Sequence, residues 1–223
     1  TILAMVDASI GGKNGIDVGL YKNMVGLIRQ PQFLVYDLDF LKSLPQHQWE
    51  NGFAEIIKHA AIKDAKMMKE LSVNNVSFYQ KNKKALASLI ERNVQIKVNV
   101  VQKDEFEKGD RKLLNFGHTI GHAIENQHVL LHGHAISIGM VYAAKISQVL
   151  TGFSETNILV ETLKKYGLPT AMRFDIQETM QVMQKDKKKA TAGMQYVVLQ
   201  KIGKASCETI PMKSLEKLIK LYS

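Results

Sequence analysis

The chain has 223 residues, enough for one large domain or two small ones with a real core. It is 45% hydrophobic and 23% charged, which sets aside disordered and membrane-spanning classes, and its single Cys207 rules out a disulfide framework within the chain. The net charge of +9 invites a nucleic-acid reading, but aromatic residues are only 7% and do not alternate with the lysines as a stacking platform requires. The compact basic clusters, Lys81–Lys84 and Lys185–Lys189, suit an anionic small substrate or a solvated surface better. No basic n-region opens the chain and Asp7 interrupts its first apolar stretch, so a cytoplasmic protein with no membrane or nucleic-acid partner is expected.

Taken in chain order, Gly11, Gly12, Gly15, Gly19 and Gly26 predict a loop-rich opening. Gly11-Gly12-Lys13 lacks the P-loop and dinucleotide spacings, and a phosphate cradle and a plain turn are equally open there. The apolar run over 32–37 predicts a buried strand, one without a partner nearby. From Pro45 the period becomes helical. Trp49, Phe53, Ile56, Ile57 and Ala60 predict a helix over 46–71, and Leu86 through Val101 predict another over 82–103. A break at 104–110 precedes a helix carrying His118, and a further helix is expected over 134–150. Ser154 is the expected N-cap of a helix over 155–166, closed by Gly167 and Pro169, and Asp175 with Glu178 predicts a capped helix over 176–185. Residues 194–210 predict a hairpin turning near Gly203, and 212–221 a short amphipathic helix.

The chemistry centres on histidine. His118 and His122 are four apart, so on a helix they share a face, and His132 follows ten residues on. Imidazoles gathered in this way suit a divalent metal such as zinc; the competing reading is core histidines satisfied by hydrogen bonds. Gly117 and Gly121 keep the approach uncrowded, and Leu113, Leu114, Ile120 and Ile124 offer a dry wall. His128 has no such setting and is expected at the surface. A carboxylate ligand would have to come from elsewhere, and Glu55 is the candidate. On a helix it shares a face with Lys58 and His59, where a surface Glu-Lys pair explains it as well as a metal does. Lys97 reads alone as a solvated helix residue, and Arg111, four before Asn115, points with it.

Together these segments resemble one family. Val6-Asp7 through Lys13, Lys22-Asn23-Met-Val-Gly, Asp37 through Pro45, Ala54-Glu55-Ile-Ile-Lys58, Asp104-Glu105, Arg111 through Glu125, Leu131-His-Gly and Asp186-Lys-Lys188 are similar, in order, to 3-dehydroquinate synthases. The resemblance implies Glu55, His118 and His132 as ligands of zinc, with cobalt as a substitute, and His122 as a residue behind them or touching phosphate. It implies that Asp7, Lys13, Lys22, Asn23, Lys58, Lys97, Arg111, Asn115 and Lys187 or Lys188 bind substrate, and that Lys13, Lys22, Phe40, Leu41, Lys42 and Ser43 touch NAD.

By the same resemblance the protein converts 3-deoxy-D-arabino-heptulosonate 7-phosphate to 3-dehydroquinate and phosphate, the second step of the shikimate pathway, usually as a homodimer. The implied fold is mainly α: a multi-helix domain with a small β-hairpin over 46–223, and over 1–45 a loop and strand segment left from an N-terminal α/β NAD-binding domain. On that reading the chain is a C-terminal fragment with little turnover by itself. Two departures stand out: that preceding domain, and His134 where many members carry glutamate. The alternatives are another sugar-phosphate cyclase, an iron-type alcohol dehydrogenase relative, or a non-catalytic metal-binding remnant; Lys97 and Arg111 favour a substrate with a carboxylate.

Overall fold

The computed structural model describes residues 1–18, 21–185 and 193–222. Its centre is α1 (Gln46–Lys63), which is buried on nearly every side from Trp49 to Ile62. A helix with so little polar face is surrounded by other elements. Around it stand α2 (Ala65–Val73), α3 (Val76–Lys81), α4 (Lys83–Lys103), α5 (His118–Gln127), α6 (His132–Thr151), α7 (Thr156–Lys165), α8 (Ile176–Lys185) and α9 (Met212–Leu221). Two antiparallel hairpins complete the chain: β1 (Lys13–Val18) with β2 (Tyr21–Ile28), and β3 (Met194–Lys201) with β4 (Lys204–Ile210). The mainly helical expectation is met, and the second hairpin turns at Gly203, whose φ is +83°.

Three local expectations are corrected. The helix over 46–71 is two helices, because Asp64 ends α1 and its carboxylate caps α2 by accepting from the Met67 N–H at 3.0 Å. Aspartate offers the backbone this alternative to helical continuation. The Asn75 and Asn82 side chains start α3 and α4 in the same way, accepting from Phe78 N and Ala85 N at 3.0 Å. Ser154 is not a cap; the N-cap position of α7 belongs to Glu155, whose side chain instead accepts from Ile202 N at 2.8 Å. Asp175 does cap α8, accepting from Glu178 N at 2.9 Å.

The third correction concerns the opening. Residues 32–37 form no strand pairing among the described residues, and Phe33 and Val35 are 75% and 79% exposed. The strands lie earlier, in β1 and β2, with Lys13 opposite Ile28 and Gly15 opposite Gly26. Glycines at facing positions hid the alternation that marks a strand, while an unbroken apolar run carried no register information. Tyr36 alone of that run turns inward, within 3.3 Å of the Ser9 hydroxyl.

Candidate functional site

Two close approaches bring the chemistry together. The first turns of the chain, ending in a single π-helical turn over Ala4–Ala8, lie directly on α1 at Gly52. A Cβ there would stand 2.8 Å from the Leu3 nitrogen and closer still to the Ile2 side chain. That contact, with Ile2 and Val6 fully buried, carries Asp7 over Glu55 and Lys58. The second is between α5 and α6, where Gly139 lies against the carbonyl of Gly117, itself at φ +79° just before α5. It sets His118, His122 and His132 within reach of one another.

Glu55 is fully buried, and its Oε1 lies 3.5 Å from both His118 Nε2 and His132 Nε2. A tetrahedral zinc with bonds of about 2.05 Å separates its ligand atoms by about 3.3 Å, so this spacing fits such an ion. Glu55 Oε2 is ion-paired with Lys58, which leaves Oε1 turned toward the two histidine nitrogens. The other ring nitrogen of each histidine faces an oxygen: Phe116 O at 3.2 Å from His118 Nδ1, and Glu125 Oε2 at 3.3 Å from His132 Nδ1. That arrangement directs both Nε2 atoms inward. His122 joins the group, its ring 4.9 Å from that of His118 and 5.8 Å from that of His132.

The protonation states agree in part with metal ligation. Burial raises the Glu55 carboxyl, but Lys58, His132 and His118 outweigh it and hold it well below the usual carboxylate range. Burial and Lys58 push His118 far down, leaving it neutral. For His132 burial is outweighed by Glu125 and Glu55, which lift it to about 9; a metal binding there displaces that proton.

Next to this centre lies a buried set of charges. Lys97 Nζ donates to Asp7 Oδ1 at 2.7 Å and also to the Asp7 carbonyl, and Lys58 Nζ stands 3.9 Å from the same Oδ1. Burial and Glu55 raise the Asp7 carboxyl, while Lys58, Lys97 and His59 more than compensate and leave it lowered. Lys97 itself is lowered by burial, against Asp7. Both lysines are therefore built into the site, contrary to the surface readings open for them in the sequence. Asp7, Glu55 and His59 also lie close enough for metal ligation, but the ammonium groups of Lys58 and Lys97 already neutralise that trio.

His59 was placed on the Glu55 face by the sequence but given no role there. Asn93 donates to Leu89 O at 2.7 Å, so its Oδ1 accepts from His59 Nδ1 at 3.1 Å and leaves Nε2 bare, 3.7 Å from Asp7. Burial and Lys58 push His59 down to about 4.

The loop before α5 supplies the rest. The carboxylate of Asp104 accepts from the N–H groups of Lys108, Gly109 and Arg111 at 2.8, 2.7 and 3.0 Å. It thereby holds Glu107 at φ +58°, an uncommon conformation for a residue with a side chain. Glu107, also unanticipated, accepts from Asn115 at 2.6 Å and pairs with Lys13. Arg111 is buried and donates to the carbonyls of Gly11 and Glu105. Gly12 takes φ +66° with its carbonyl accepting from Arg29 N at 2.8 Å, so the glycine pair serves the hairpin backbone.

Other expected residues fall elsewhere. Lys187 and Lys188 lie outside the described residues, as do the side chains of Lys22 and Asn23 in β2. Phe40, Lys42 and Ser43 are exposed, whereas the Leu41 side chain is in the core. His134 joins no ligand group among the described residues, and its Nε2 is buried. His128, expected at the surface, is half-buried.

The fold is that of the sugar-phosphate cyclases. A 2-epi-5-epi-valiolone synthase from Streptomyces hygroscopicus subsp. jinggangensis, solved with NAD+ and Zn2+ bound, has a TM-score of 0.89 over 99% of this chain and 64% of its own, at 23% identity. A 2-deoxy-scyllo-inosose synthase complexed with carbaglucose-6-phosphate, NAD+ and Co2+ has a TM-score of 0.83 over 99% of this chain and 64% of its own, at 26% identity. The sequence profile for the 3-dehydroquinate synthase C-terminal part matches residues 52–189, and that for the N-terminal part matches residues 1–51. The 3-dehydroquinate synthase of Sulfolobus acidocaldarius is 39% identical over 97% of this chain and 64% of its own length. That of Thermodesulfovibrio yellowstonii is 40% identical over 92% of this chain and 59% of its own. The chain belongs to the 3-dehydroquinate synthase family. It spans about three-fifths of the length of these curated relatives.

Proposed function

We propose that this chain supplies the metal- and substrate-holding residues of a cytoplasmic 3-dehydroquinate synthase, releasing phosphate from 3-deoxy-D-arabino-heptulosonate 7-phosphate. The observation that carries the reading is the placement of Glu55 Oε1 at 3.5 Å from both inward-facing histidine nitrogens, in a chain of this family. Residues 46–223 form the helical unit of this proposal, and residues 1–45 the segment continuous with the family's NAD-binding part. The working protein is proposed to be a homodimer.

Glu55, His118 and His132 would hold zinc, or cobalt in its place, with His122 beside them. Such an ion supplies Lewis acidity toward the substrate hydroxyls, and NAD supplies a hydride acceptor that is restored by the end of the cycle. Phe40, Lys42 and Ser43, exposed after the short helical turn over Leu38–Leu41, fit a cofactor contact; the buried Leu41 side chain would not take part.

The chain's own residues bind and orient an anionic substrate. An ammonium has three donors; Lys97 spends two on Asp7 and keeps one for a carboxylate or hydroxyl. Lys58, buried between Glu55 and Asp7, adds a second positive charge in a place of low polarisability. Asn115 and Lys13 meet at Glu107, on the side where Arg111 holds the Gly11 carbonyl. Lys22, Asn23 and Lys187 are proposed to complete the anion contacts.

The test is calorimetry on this chain with zinc, then with the heptulosonate phosphate, and a phosphate-release assay with NAD and zinc on the whole protein. We expect one zinc site, substrate binding that needs the lysines, and loss of both zinc binding and phosphate release in His118→Ala. Zinc binding without any substrate binding would leave only a metal-binding remnant.

A further inference from the structure

The two histidines that face Glu55 are oriented by different means. His118 Nδ1 lies 3.2 Å from the carbonyl of Phe116, a main-chain group that no substitution removes. His132 Nδ1 lies 3.3 Å from Oε2 of Glu125, a side chain on another helix. Glu125 belongs to α5 and His132 opens α6, so the contact crosses the turn between them. It is sheltered, with the Glu125 side chain 16% exposed.

A carboxylate only accepts, so Glu125 calls for a proton on Nδ1 of its partner. A neutral imidazole carries one proton, which leaves the lone pair on Nε2, the nitrogen 3.5 Å from Glu55. Rotation of the His132 ring would break this contact and turn Nε2 away from the centre.

We propose that Glu125 is a positioning residue for the metal centre: it acts through His132, setting the ring's orientation and donor strength and thereby the affinity of the site for its cation. The inference rests on the metal reading given above.

The test uses the full chain stripped of metal and titrated with Zn2+ and with Co2+ against a chromophoric chelator. Loss of a partner behind a metal-binding histidine weakens binding by roughly 10–100-fold, and that is the expected result for Glu125→Ala. Glu125→Gln keeps an accepting oxygen without the charge; it is expected to lose less affinity and to shift the visible Co2+ band. The rise in unfolding temperature on adding metal should be smaller than in wild type. Should the alanine variant fail to fold, the glutamine variant decides. Variants that bind both ions within twofold of wild type, with an unchanged Co2+ spectrum, overturn the proposal. Wild-type protein that takes up neither ion overturns the metal reading itself, and this inference with it.

Discussion

Lys97 holds Asp7 twice, through Oδ1 at 2.7 Å and through the backbone carbonyl, across ninety residues of sequence. Both groups are largely sheltered, with side-chain exposures of 8% and 22%. The pair therefore ties the first turns of the chain to α4, beside Lys58.

Removing Lys97 leaves the sheltered Asp7 carboxylate with only the more distant Lys58 and His59 beside it. Lys97→Met is expected to cost about 3 kcal/mol, a fall in unfolding temperature of about 6–12 °C. The double variant with Asp7→Asn should be less destabilised than the two single changes added together. Denaturant unfolding of all four forms checks this; strict additivity would show that the two groups do not interact.

Glu55 and His134 make opposite predictions. Glu55→Gln takes away the anion that Lys58, His118 and His132 share, so metal affinity should fall by more than the ~10–100-fold typical of an outer partner. His134→Ala should leave affinity within about twofold of wild type, because His134 joins no ligand group among the described residues. Chelator competition measures both, and strong weakening by His134→Ala would reassign the centre.

Gly52→Ala places a methyl group where Ile2 and Leu3 already stand. Overpacking of this kind costs about 1–3 kcal/mol, and here it also lifts Asp7 away from Lys58. A thermal scan should show a lower transition temperature, with metal affinity far less affected than in Glu55→Gln. An unchanged transition would mean that the first turns do not rest on α1.

Asp64 links stability to acid. Burial raises its carboxyl, but the fork of hydrogen bonds from Arg92 at 2.5 and 2.7 Å and the Met67 N–H leave it lowered from 3.8. The unfolded chain then takes up the proton more readily, so this contribution is complete above pH 3.8 and disappears as pH falls through the lower folded value. Asp64→Asn should reduce that acid-dependent loss while keeping the cap. Asp64→Ala should lose the cap as well, at about 1 kcal/mol more. Urea midpoints across the acid range distinguish the three proteins.

The helices were legible because their apolar residues recur every three or four positions: α4 and α9 begin and end within a residue of the expected bounds. The boundary at Asp64 was less legible, since an aspartate continues or caps a helix according to whether a partner such as Arg92 holds it. The first hairpin was missed because its glycines erase the two-residue alternation, and the exposed run at Phe33 imitates a core strand in composition alone.

Spacing by itself determined that His118 and His122 share a helix face, because the α-helical repeat is a local property of the backbone. What Glu55 does was left level between a surface pair and a ligand, since burial is not local. Only the tertiary structure set aside the exposed pair, by burying Glu55 beside His118 and His132 and closing the first turns over Gly52. The same packing drew in Glu107 and His59 through partners far off in sequence, Lys13 and Asn93, while Glu125 meets His132 across the turn between α5 and α6.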